Sequence, residues 1–179
     1  MTKKITLTAI LLALYIMLKI SLPTLIIIPG IIQFNLIYLT LPLIGMLIGP
    51  KRGFFFGIVA DLILYFYMST AIFNPIFMLS EGIFCFLGGY FYYKKDLSLK
   101  RILLSNIVIV YFGIVVMNTI ALIFQFIVLA PNPDKLQSTI TVAVIYRIIT
   151  ATFVYYPLMS ALFFLPREQW ARLQQRFEN

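Results

Sequence analysis

Three ionisable side chains lie inside apolar runs, where charge is costly: Asp61, Glu81 and Arg147. A charge within a membrane helix is kept for ligand contact, proton relay or pairing, so each is a candidate site residue. At about 1.5 Å per helical residue, Asp61 falls roughly 12 Å and Arg147 roughly 13 Å below the outer ends of their helices. Their depths match, and a structural Asp61–Arg147 ion pair is expected as readily as ligand contact. Glu81 falls roughly 7 Å below the outer end of its helix. Its only basic candidate at similar depth is Lys19, near the outer end of the first helix, where the long stem could snorkel.

Uncharged polar groups gather at the same outer depths. Gln33 and Asn35 enter the second helix, Tyr65 and Tyr67 lie in the third, and Asn74 precedes the fourth. Asn118 and Gln125 in the fifth and Tyr146 in the sixth extend the set, while nothing comparable stands out in the inner half. Such a cluster fits a pocket that captures a small ligand from outside. The competing reading is interhelical glue, which for Asn118 taken alone outranks ligand contact. The aromatic residues are mostly lipid-facing or packing, with a few placed to stack on a flat ligand.

Covalent and metal chemistry finds no support. There is no histidine, and Cys85 is the single cysteine, so neither a disulfide framework nor a protein-ligated transition metal is expected. A nucleophile–base pair, a P-loop and a dinucleotide-binding glycine turn are missing, and "GPKRGFFFG" lacks the strand–helix setting that would give its glycines a phosphate role. An intramembrane enzyme using Asp61 and Glu81 as paired acids ranks low because the two sit at different depths. No cofactor is expected.

The elements that must position these groups follow from composition. Of 179 residues, 62% are hydrophobic and 11% charged, too few charges to build a water-soluble surface. The expectation is a single all-α domain over 1–179, a membrane bundle of six helices near 5–22, 34–49, 52–69, 76–93, 102–129 and 138–165. Each approaches the 20 or so apolar residues needed to span a bilayer. The breaks are "GPKRG", "KKDLSLKR" and "APNPDK", and Pro23, Pro29 and Gly30 predict a long outer loop before the second helix. Lys3 and Lys4 before an apolar run resemble a signal peptide, but no small-residue cleavage site comes after it, so a retained first helix is expected.

Positive loops stay cytoplasmic, which places both termini inside, with Lys51, Arg52, Lys94, Lys95, Lys100, Arg101, Arg167, Arg172 and Arg176 on that side. The net charge of +8 is then a topology signal with an affinity for anionic headgroups. Nucleic-acid binding is disfavoured because the basic residues are split among separate membrane-edge segments. The tail "PREQWARLQQRF" reads as an interfacial helix.

One stretch of the first helix, "LTAILLALYI", carries Ala9 and Ala13 four apart on one face. With "LPLIGMLIGPKRGFFFGIVADLI" and "YRIITATFVYYPLMSALFFL", it resembles the substrate-binding S components of energy-coupling factor (ECF) vitamin transporters, a class of ABC importer. The resemblance runs over nearly the whole chain, and the middle piece is the most specific, matching a "GMLxGPxxG…xxDL" pattern. It implies a multi-pass cell-membrane protein that binds a vitamin from outside and then topples on a partner. Ala9 and Ala13 would contact that partner, a transmembrane coupling subunit of the EcfT type, while two cytoplasmic ATPases hydrolyse ATP. Packing of Ala9 and Ala13 against a helix of the same chain is the alternative.

Within that family the folate-type group is the most similar. Where folate carriers read "GFTLSA", this chain has "FMLSEGIF", which puts Glu81 in the wall. A carboxylate suits an aminopyrimidine or protonated pyridine and repels folate unless Lys19 or Arg147 offsets it. The expected ligand is therefore a hydroxymethylpyrimidine- or pyridoxine-like compound, with folate second.

Overall fold

The computed structural model describes residues 2–22, 25–28, 32–68, 73–129 and 133–178, with side chains for 5–22, 35–67, 73–128, 138–170 and 172–173. Among these residues the helices form six rods and a terminal helix. The first rod is α1, Thr2–Ser21. Next comes a short antiparallel ribbon, β1 (Leu25–Ile28) against β2 (Ile32–Phe34), where a plain loop is expected from the sequence. Runs of isoleucine on either side of the Pro29-Gly30 turn signal account for it, since β-branched side chains suit a pleated strand.

The second rod joins a 3-10 turn (Leu36–Leu39) to α2 (Thr40–Ile48), and the third and fourth are α3 (Pro50–Met68) and α4 (Pro75–Tyr92). The fifth runs through α5 (Leu99–Val110), a π-helical stretch (Tyr111–Met117), α6 (Asn118–Phe124) and a second π stretch (Gln125–Leu129). The sixth comprises α7 (Pro133–Thr150), a third π stretch (Ala151–Tyr155) and α8 (Tyr156–Phe164). Helix α9 (Arg167–Glu178) ends the chain, and the Trp170 indole donates to the Leu162 carbonyl at 3.1 Å. Among the described residues three helices are long and apolar enough to cross a membrane: Pro75–Tyr92, Leu99–Val128 and Ser138–Phe164. Ile5–Ser21 and Leu36–Ile48 are shorter apolar helices.

Glycines decide how α2, α3 and α4 pack. Gly45 lies on α2 and Gly49 in the turn after it, while Gly53 and Gly57 stand one turn apart on one face of α3. A Cβ at Gly45 would collide with the Cys85 carbonyl, one at Gly57 with the Glu81 backbone, and one at Gly88 with Pro42. Here backbones touch without side chains between them, which in lipid is the main source of helix association. Gly49 has φ +90° and turns the chain between α2 and α3, a conformation other residues adopt only under strain.

The α5–α8 side is built differently. A π stretch inserts an extra residue into the helical turn and rotates the side chains beyond it about the helix axis. The Tyr111 and Thr152 hydroxyls meet at 2.7 Å and join two of these stretches. Below them lies a buried polar network that the sequence reading of the inner half did not expect. The Tyr92 hydroxyl donates to Asn106 Oδ1 at 2.7 Å, and Asn106 Nδ2 donates to Ser160 Oγ at 3.2 Å. Packed aromatic and aliphatic side chains, Tyr15, Phe84, Phe163 and Met159 among them, fill the core between the two sides.

Candidate functional site

Tyr15 and Lys19 stand one turn apart on α1, so they present to the bundle together. The Tyr15 hydroxyl donates to Glu81 Oε2 at 3.1 Å. Lys19 Nζ donates to Glu81 Oε1 and lies 3.4 Å from Asp61 Oδ1, so one ammonium bridges two carboxylates from neighbouring helices. The close approach of α3 and α4 at Gly57 explains the juxtaposition: Asp61 is one turn beyond Gly57, and Gly57 abuts the Glu81 backbone.

Burial grades across this cluster. The Glu81 side chain is 4% exposed, Lys19 15% and Asp61 21%. Tyr38, stacked on Phe84 with ring centroids 5.8 Å apart, lies near enough to Lys19, Glu81, Asp61 and Arg147 to feel the charge of each. Arg147 donates to Thr119 Oγ1 at 3.0 Å. The expected Asp61–Arg147 ion pair is therefore corrected: Asp61 belongs to Lys19, and among the described residues Arg147 has no carboxylate partner. Helical rise gives height but not azimuth, and at equal height the two face different neighbours.

The polar residues expected to line a pocket divide by role. Asn35 Oδ1 caps the 3-10 turn by accepting from Ile37 N–H at 2.9 Å, and the Tyr155 hydroxyl holds the Asn35 backbone, donating to its carbonyl at 3.2 Å and accepting from its N–H at 3.1 Å. Asn74 Oδ1 caps α4 through Ile76 N–H, while its amide donates to the Ala121 carbonyl at 2.9 Å. Asn118 Oδ1 accepts from Ser80 Oγ at 3.2 Å, the interhelical glue arrangement. The half-buried side chains of Gln125 and Tyr146 make no hydrogen bond among the described residues. The Gln33 side chain lies outside the described residues.

Sequence reasoning missed Tyr15, Tyr38 and Thr119. The four-residue spacing of Tyr15 and Lys19 was the available signal for the first. On a different face of α1, Ala9 and Ala13 are exposed among the described residues, beside Ile10, Leu14 and Met17.

The chain matches the family model for the ECF transporter substrate-specific component over residues 3–167. It belongs to that family. Among solved structures it resembles FolT bound with folic acid, at TM-score 0.74 and 19% identity, covering 95% of this chain and 98% of that one. A search of curated protein sequences gives no significant match. This S component is therefore a membrane protein and a substrate-binding transporter subunit rather than an enzyme.

Proposed function

We propose that this S component captures a folate-class vitamin, a flat aminoheterocycle bearing carboxylates, between the Lys19–Asp61–Glu81 cluster of α1, α3 and α4 and Arg147 of α7. The observation that carries the reading is the division of charge, with Lys19 holding both acids and Arg147 holding none among the described residues. The sequence alone favours a smaller heterocycle because Glu81 would repel folate. With Lys19 and Tyr15 both on Glu81, that repulsion is offset locally. Arg147 is left to take a ligand carboxylate in a bidentate charge-assisted pair. The amino edge of the heterocycle would face Asp61 and Glu81, and the Tyr38 ring offers a stacking surface. The likeness to a FolT structure holding folic acid supports this ligand class. A hydroxymethylpyrimidine- or pyridoxine-like ligand is the second reading, favoured by two carboxylates sharing one lysine.

Capture is half of the activity. The exposed Ala9–Ala13 face is the docking surface for an EcfT-type coupling subunit, because two small residues one turn apart let a partner backbone approach closely. Two partner ATPases hydrolyse ATP, the termini face the cytoplasm, and the site opens to the outside of a bacterial plasma membrane. The test uses labelled folic acid and the double variant Ala9→Leu/Ala13→Leu. Binding by the isolated protein should stay at the parent level while uptake in cells is abolished. Unchanged uptake removes the docking assignment, and absent folate binding by the parent removes the ligand assignment.

A further inference from the structure

A cleft of about 370 Å³ opens between the end of α4 and the start of α5, lined by Phe91, Ser98, Lys100, Arg101, Leu104 and Ser105. We propose that this cleft is a binding site for an anionic phospholipid, its phosphodiester held by Lys100 and Arg101 and an acyl chain laid along Phe91 and Leu104.

Position is the first support. One membrane-length helix ends at Tyr92 and another begins at Leu99, so the cleft sits where two apolar spans meet their polar connection. That is the depth of lipid phosphates. Charge is the second: Lys94, Lys95, Lys100 and Arg101 surround a single acid, Asp96, in the same segment. The Arg101 guanidinium donates to the Asp96 carbonyl at 2.9 Å, which anchors it at the rim and leaves its other donors for an anion. Lys95 is committed elsewhere, donating to the Tyr90 carbonyl at 2.7 Å. The third support is the wall. Leu104 is 56% exposed and Phe91 half-buried, apolar surface that a soluble phosphate would leave uncovered and an acyl chain would cover. Basic pockets between membrane helices are the usual seat of anionic headgroups.

The purified protein, reconstituted in phosphatidylcholine nanodiscs, is titrated with phosphatidylglycerol and with soluble glycerol phosphate, and retained lipid is read by native mass spectrometry. Phosphatidylglycerol should be retained and glycerol phosphate should not. Lys100→Ala/Arg101→Ala should weaken retention roughly fivefold per residue removed, about 25-fold for the pair. Lys51→Ala/Arg52→Ala removes equal charge from a neighbouring exposed turn and should leave retention at the parent level. Equal losses in the two double variants, no preference over phosphatidylcholine, or equal binding of glycerol phosphate would each overturn the proposal. If the cleft instead seats a protein, retention is unaffected by Lys100→Ala/Arg101→Ala, and the proposal fails.

Discussion

The α2–α4 and α5–α8 sides of this bundle solve one problem in two ways. Both must associate in lipid, where apolar side chains gain little by leaving their surroundings. On the first side glycines bring backbones into contact: Gly45 meets Cys85, Gly57 meets Glu81 and Gly88 meets Pro42. On the second, hydroxyls and amides meet across helices, Tyr111 with Thr152 inside two π stretches and Asn106 of α5 with Ser160 of α8. Backbone contact is rigid because nothing in it can rotate aside, whereas a side-chain contact can adjust. The candidate residues come from both sides: Asp61 and Glu81 from the glycine-packed side, where α1 packs against α2 and α3 and adds Lys19 and Tyr15, and Arg147 with Thr119 from the π side. The acids are thus held in fixed register while the arginine sits on the side able to adapt to a ligand.

The sharpest way to break this picture is at Lys19. Lys19→Met leaves the buried Glu81 and the half-buried Asp61 without a counter-charge, and losing one partner of a buried ion pair costs about 3–5 kcal/mol. Thermal melting in detergent should show the largest destabilisation of the single variants named here. A near-parental melt would mean that the two acids are solvated and the cluster is not the charge clasp described.

Next come two glycines that test the contrast itself. Gly57→Ala forces α3 away from the Glu81 backbone and should destabilise by about 1–3 kcal/mol, despite the better helix propensity of alanine. Gly113→Ala, in a π stretch, meets only the outer edge of the Phe84 ring. There the propensity gain of up to about 1 kcal/mol offsets much of the strain, so its effect should be smaller. Chemical denaturation of both variants checks the order, and a reversed order would abolish the distinction between the two sides.

The rods were readable as helices because apolar length and Gly, Pro and charge breaks are one-dimensional signals, and each expected segment ends within a few residues of a helical rod, although among the described residues three of them are long and apolar enough to cross a membrane. Glu81 was likewise marked by its charge, and Lys19 by its depth. Azimuth was not readable, which is why Arg147 was matched to Asp61 when its partner is Thr119. The π stretches left no mark in hydropathy, since one extra residue per turn shifts the pattern less than ordinary variation along an all-apolar run. Tyr92, Asn106 and Ser160 were hidden for the related reason that they lie on three separate helices and become a network only when those converge. The β1–β2 ribbon was obscured by the proline and glycine that also signal a loop.

The central claim is that Arg147, left without a carboxylate by the Lys19 clasp, receives one from the ligand. Isothermal calorimetry of folic acid against the parent and Arg147→Gln tests it most directly, with hydroxymethylpyrimidine as the uncharged comparison. A lost hydrogen bond to a charged group is worth about 1.5–3 kcal/mol, so Arg147→Gln should weaken folic acid by roughly 10- to 150-fold. It should leave hydroxymethylpyrimidine unaffected. Parental folic acid affinity in Arg147→Gln, or a parent protein that binds only hydroxymethylpyrimidine, would contradict the account.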